Sequence, residues 1–171
     1  MHKSLKIWSV FLIVSMPLFL WAGRADYRVI PLPQSMQADT TKVFTLQSGM
    51  GIAYDADNAE IARTAQLLCQ WVELQTGISL QLTPSAKKAA IRLIVSVFSA
   101  EKKGKKTASL TDQQLEAYTL RVDKNGVTIN ARQAVGIFRG AQTLRKSLPT
   151  TGPVELPFVT IADEPRFSYR R

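Results

Sequence analysis

The strongest constraint on what this chain can fold into lies between residues 118 and 131. Tyr118, Leu120 and Val122 alternate with Thr119 and Arg121, and Val127, Ile129 and Ala131 alternate with Thr128 and Asn130. Strict alternation gives each run one apolar face. The intervening Asp123 to Gly126, which contains Asn125-Gly126, is a turn signal, so the stretch reads as a β-hairpin with one side inward. A two-stranded hairpin is not stable alone in water, so the rest of the chain must supply partners for that face.

Helical periodicity supplies two of them. Ile61, Ala65, Leu68 and Val72 fall on one helix face; Asp57 and Glu60 have capping-box spacing before them, and Gly77 offers a stop. From Gln133 a second helix is expected, with Ile137, Ala141, Leu144 and Leu148 on one face and Pro149 ending it. Gly136 and Gly140, four residues apart, would each weaken a free helix by about 1 kcal/mol, which argues for close packing against something.

Further strands are expected at Lys42 to Leu46, Gly51 to Tyr54, Ser79 to Leu82, Ile91 to Val97 and around Val159 to Ile161. Ile91 to Val97 is apolar and β-branched enough to lie centrally, buried on both faces. Val29-Ile30-Pro31-Leu32-Pro33 is extended, because its prolines forbid helix. With 171 residues, 46% of them hydrophobic, the chain has the bulk for one core, and no internal repeat interrupts it. The expected fold class is α+β: a single, mostly antiparallel sheet of about six or seven strands with two helices packed on it.

The first residues read as a targeting segment. Lys3 and Lys6 precede an apolar run from Ile7 to Trp21, followed by the small residues Ala22, Gly23 and Ala25, so 1–22 is expected to be a cleaved signal peptide. The run falls short of the roughly 20 residues a spanning helix needs, so no stable membrane anchor is expected. No cysteine near the cleavage region offers a lipid attachment site. The product is expected to be exported, periplasmic or extracellular, with one α+β domain over 27–162.

The formal charge of +9 falls to +7 once Lys3 and Lys6 are removed with that segment. Its one dense cluster, Lys102, Lys103, Lys105 and Lys106 around Gly104, contains no aromatic on which a base could stack, so no nucleic-acid partner is expected.

Chemistry is limited by what is missing. The one histidine, His2, lies in the segment expected to be removed, leaving no imidazole for a triad or a zinc site. Cys69 has no second cysteine to pair with and sits at helical spacing among apolar residues, as a core thiol does. Asp163-Glu164 looks like an acid and base pair, but neighbours on an extended chain point opposite ways and Pro165 marks a turn. Asp112 and Glu116 read as a solvated surface pair, and Asp55 and Asp57 as residues of a helix start. Neither a metal-ligand cluster nor a phosphate-cradling glycine loop is present in the pattern, so no metal, no cofactor and no catalytic residue is expected.

An ordered set of segments resembles a known family. Glu116-Ala117-Tyr118-Thr119-Leu120-Arg121-Val122, Gly126-Val127-Thr128-Ile129-Asn130-Ala131, Gly136-Ile137-Phe138-Arg139-Gly140-Ala141-Gln142-Thr143-Leu144 and Leu148-Pro149 are similar to the accessory domain that precedes the barrel in glycoside hydrolase family 20. The resemblance extends upstream to Val29-Ile30-Pro31-Leu32-Pro33 and Thr76-Gly77, and downstream through Ile161-Ala162-Asp163-Glu164-Pro165-Arg166-Phe167-Ser168-Tyr169-Arg170.

That resemblance implies a β-N-acetylhexosaminidase whose (β/α)8 barrel, in cis, removes terminal N-acetylhexosamine from glycans. In the family an adjacent Asp-Glu pair on the barrel does the chemistry, with the substrate's own acetamido group as nucleophile. Asp163-Glu164 is not that pair, because the resemblance makes 27–162 the accessory domain and 163–171 a linker and the start of a barrel missing from this chain. Arg170 matches the linker arginine that binds hydroxyls of the terminal sugar, and a guanidinium offers a rigid fork of donors for that task; Arg171 stands where the family usually has glycine. Two other readings stay open: a stand-alone glycan-binding or structural module, and an accessory domain of another glycosidase. The first lacks exposed aromatics, since Trp71 falls within a helix and the other tryptophans in the leader.

Overall fold

The structure is a computed structural model that describes residues 23–85, 89–96, 112–150 and 153–164. Among these residues it has eight strands, β1 (Gly23–Arg24), β2 (Ser35–Leu46), β3 (Gly51–Ala53), β4 (Gln81–Thr83), β5 (Ala89–Val95), β6 (Tyr118–Asp123), β7 (Gly126–Ala131) and β8 (Val154–Asp163). Three helices join them: α1 (Ala59–Thr76), α2 (Asp112–Glu116) and α3 (Ala134–Ser147). All eight strands form one sheet, in the order β1-β8-β6-β7-β5-β3-β4, with β2 along the other side of β8.

The α+β class and the single sheet are as expected, but the sheet is mixed rather than mostly antiparallel. β3 pairs parallel with β4 and β5, β5 with β7, and β1 with β8; only β2–β8, β6–β7 and β6–β8 are antiparallel. The helices are the cause. An α-helix between two strands returns the chain to the end where it began, so the next strand runs the same way. Thus α1 makes β4 parallel to β3, while α3 returns β8 alongside β6, in the same direction as β7.

Three elements lie outside the expected set. β1 is two residues long, the first half of β2 is polar and exposed, and α2 occupies a polar stretch; none carries an apolar period. β2 exists because β8 pairs with it from Ser35 to Leu46 across a bulge between Asp39 and Val43.

The hairpin is where alternation puts it. Its loop is the two residues Lys124 and Asn125, with Asp123 opposite Gly126 and the Asn125 N–H donating to Asp123 Oδ1 at 2.8 Å. Gly126 has φ +107°, and a Cβ there would lie 2.1 Å from the Ala90 carbonyl oxygen of neighbouring β5, so only glycine fits.

α1 and α3 lie on one face of the sheet. Ile52, Ile91, Leu120, Ile129, Leu156 and Ile161 meet Ile61, Leu68, Val72, Ile137 and Leu144, all fully buried, each contributing about 1.5–3 kcal/mol of burial energy. The other face is mostly polar, and β5 is not buried on both faces as expected, since Ile94 is 40% exposed. There Arg92 donates from Nε to Thr128 Oγ1 and from its two terminal nitrogens to the carbonyls of Ala89 and Asn125, at 3.1–3.3 Å.

The start of α1 differs by one residue from the expected capping box. Asn58, not Asp57, is the N-cap: its Oδ1 accepts from the N–H groups of Glu60 and Ile61 at 3.1 and 3.2 Å, while Asp55 accepts from the Asp57 N–H. Gly77 ends the helix as expected, with φ +74° and its N–H donating to the Glu73 carbonyl. No helix among the described residues is long and apolar enough to cross a membrane.

Candidate functional site

Two places gather side chains that the sequence keeps far apart. The first is the corner where β8 ends. Asp163 Oδ1 accepts from the Gln34 N–H at 3.0 Å, and Asp163 Oδ2 lies 3.5 Å from the Tyr118 hydroxyl. That hydroxyl sits 2.6 Å from Thr143 Oγ1 on α3. Burial pushes the Tyr118 phenol up to about 12; the bond with Thr143 works against the rise and the nearby Asp163 carboxylate adds to it. The Gln34 side chain donates from Nε2 to the Glu164 carbonyl at 3.0 Å. A cavity of about 390 Å³ opens beside these groups, between Gln34, Tyr118, Arg132 and Asp163.

Asp163 and Glu164 therefore do not face each other across a bond to be cleaved. Asp163 is tied inward, and Glu164 is held through its backbone. The Asp112 side chain lies outside what is described, and Glu116 is not a solvated surface residue: its Oε2 accepts from Nε and Nη2 of Arg139 on α3, at 3.1 and 2.9 Å. The two side chains are only 25% and 34% exposed, so the contact secures α2 against α3. No cluster of three or more metal-ligating side chains exists among the described residues. The Cys69 thiol is half-buried against the core, and burial, then Glu73, raise its pKa, which disfavours the nucleophilic thiolate. Arg170 lies outside the described residues.

The second place is the outer side of the helix layer. Trp71 on α1 meets Phe138 on α3 edge to face, with ring centroids 6.1 Å apart, and the Arg145 guanidinium stands 4.8 Å over the indole. Leu74, one turn along α1, is 85% exposed. The two glycines of α3 are not on this side. A Cβ on Gly136 would lie 2.6 Å from the Ala117 carbonyl oxygen and from Ala131 Cβ, and one on Gly140 2.5 Å from Ile129 Cγ2. Their close packing is thus spent against the domain's own sheet, not against a neighbour. Heptad position alone could have found this, because Gly136 and Gly140 share the face of Ile137 and Leu144. The Trp71–Phe138 and Asp163–Tyr118 contacts join elements far apart in sequence and leave no local signal.

A family model described as glycosyl hydrolase family 20, domain 2, matches residues 26–164. A β-hexosaminidase of Porphyromonas gingivalis is 29% identical over 150 residues, 83% of this chain but 18% of that protein. Among solved structures, a Streptomyces plicatus β-hexosaminidase bound to its product GlcNAc superposes with TM-score 0.66 at 30% identity, over 84% of this chain and 27% of that one. A β-N-acetylhexosaminidase of Streptomyces coelicolor gives TM-score 0.67 at 29% identity, over 87% and 28%. This chain thus spans only 18–28% of the length of these relatives, in each of which the matched region is one part of a longer chain.

Proposed function

The chain belongs to the domain 2 family of the family 20 glycosyl hydrolases, and from that premise we propose that it is the non-catalytic accessory domain of a β-N-acetylhexosaminidase. A downstream (β/α)8 barrel in cis would remove terminal β-linked N-acetylhexosamine from glycans. The observation that carries this reading is the match over residues 26–164, which takes in every strand from β2 to β8 and all three helices. The described carboxylates agree with a supporting role, since Asp163 and Glu116 are committed to internal contacts.

In this reading the outer side of α1 and α3, around Trp71, Phe138 and Leu74, packs on the barrel, as domains of one chain do over about 600–1,500 Å². Gly136 and Gly140 take no part, because the sheet occupies them. Arg170 would bind hydroxyls of the terminal sugar once the barrel completes the site. The leader over 1–22 would direct export, and N-terminal sequencing of the secreted protein tests that.

The decisive experiment compares this chain with the same chain extended through its downstream barrel, on a chromogenic N-acetylglucosaminide. Turnover is expected only from the longer form. A comparable rate from this chain alone would overturn the assignment. Binding of chitin-type oligosaccharides by the short form would instead favour a stand-alone glycan-binding module.

A further inference from the structure

We propose that Asp163 is a positioning residue whose carboxylate fixes the direction in which the chain leaves the domain, and so orients the barrel joined to it. The proposal rests on the reading that a catalytic barrel lies downstream in cis. Most described aspartates serve their own neighbourhood: Asp26 bonds Arg28, Asp39 bonds Thr41 and Lys42, and Asp123 bonds Arg121 and Asn125. Asp163 reaches instead to Gln34, 129 residues earlier, and to Tyr118, 45 residues earlier.

The reach has a mechanical meaning. Asp163 is the last residue of β8, and beyond it one carbonyl, that of Glu164, is held by the Gln34 side chain. Two consecutive residues of the exit are thus tied to the segment that leads into β2. The other end of the tie is anchored in the core. Tyr118 is buried, its hydroxyl meets Thr143 on α3, and its ring lies under Gly140, where a Cβ would come within 3.0 Å of Cδ2. A peptide leaving the end of a strand with one anchored residue can swing about it. Held at two successive residues, Asp163 on a buried tyrosine and Glu164 on the Gln34 side chain, it leaves along one direction.

The tie is geometric and not a matter of charge, since an asparagine can accept from the Gln34 N–H through Oδ1 and donate to the tyrosine hydroxyl through Nδ2. That separates it from a generic need for an acid at this place. In the full-length protein, spin labels on exposed Lys124, in the hairpin loop away from the outer helix side, and on the barrel would report the spread of interdomain distances, well below the melting temperature. Asp163→Ala is expected to broaden that distribution and Asp163→Asn to leave it narrow. Hydrogen exchange at the Gln34 amide is expected to quicken about tenfold in Asp163→Ala, equivalent to ~1.4 kcal/mol.

A narrow distribution in folded Asp163→Ala, or equal broadening in Asp163→Asn, would overturn the proposal. Should Asp163→Ala fail to fold, Gln34→Ala removes only the bond to the Glu164 carbonyl and must itself widen the distribution; an unchanged width there also overturns it. Wild-type full-length protein that folds but shows no hexosaminidase activity sinks the barrel reading instead, while exchange at Gln34 still decides whether the tie exists.

Discussion

The two long helices lie side by side on one sheet, yet they are secured in different ways. α1 carries its own signals: Asn58 satisfies two free N–H groups at its start and Gly77 closes its end. α3 has neither, since Gln133 makes no side-chain cap and Leu148 leaves the helix in extended backbone. What α3 has is contact, with Gly136 and Gly140 letting its backbone down onto β6, β7 and the residues just before β6. One helix is specified locally and docks as a helix; the other is a helix largely because the sheet accepts it there.

Gly136→Ala should break that arrangement most strongly. Alanine favours helix by about 1 kcal/mol, so a helix limited by propensity would be stabilised. Here the new Cβ meets a carbonyl oxygen and a methyl at 2.6 Å, on backbone that cannot yield cheaply. A net loss of about 2–3 kcal/mol is expected in chemical denaturation. A gain in stability would mean that α3 is not clamped at all.

Alkaline titration reads the same clamp from beneath. A tyrosine in the unfolded chain ionises near 10, whereas Tyr118 is held up to about 12 and Tyr27 is raised too, both chiefly by burial. Below pH 10 both states keep the proton and these groups give no pH dependence. Above it the unfolded chain loses the proton first, so stability should fall as pH rises from about 10 towards 12, by on the order of 2 kcal/mol for Tyr118. Because Tyr118 supports α3, amide exchange should accelerate in α3 before α1, and Tyr118→Phe should remove its share of the pH dependence. Simultaneous opening of both helices would erase the distinction drawn between them.

The same division explains how much can be read in the sequence. The hairpin, α1 and its stop at Gly77 come from signals within one window, whereas α3 is legible only through the apolar period of the face it turns to the sheet, without a cap at either end. Parallel pairing of β3 with β4 and β5 has no such window; it is decided by α1 returning the chain, which the pattern of any single strand does not record. The chain exit shows the same limit. Asp163-Glu164 is legible as a turn but not as a tie, since Gln34 and Tyr118 come to it only through the folded sheet. Asn58 beside Asp57 shows a milder form: both can cap, and which one does depends on the turn made by Asp55.

Asn58→Ala sharpens the contrast at its local end. Removing a side chain that accepts from two N–H groups should cost about 1 kcal/mol. The matching change at the other helix, Gln133→Ala, removes no cap bond and should stay within about 0.5 kcal/mol. Equal losses at the two sites would show that the caps do not distinguish the helices.

The smallest effect is expected at Leu74, and its size depends on what else is attached. The side chain is 85% exposed on α1, so Leu74→Gln in this chain exchanges one solvated group for another and should change stability by less than about 0.5 kcal/mol. Burying a leucine fully is worth about 1.5–3 kcal/mol. If the outer side of the helix layer docks on a downstream barrel, the same substitution in the longer protein should weaken that contact by an amount approaching this range, seen as earlier separation of the two domains in denaturant. Trp71 gives a weaker readout, because Phe138 and Arg145 already cover part of it within the domain. Identical, negligible effects of Leu74→Gln in both forms would place the docking surface elsewhere than on α1.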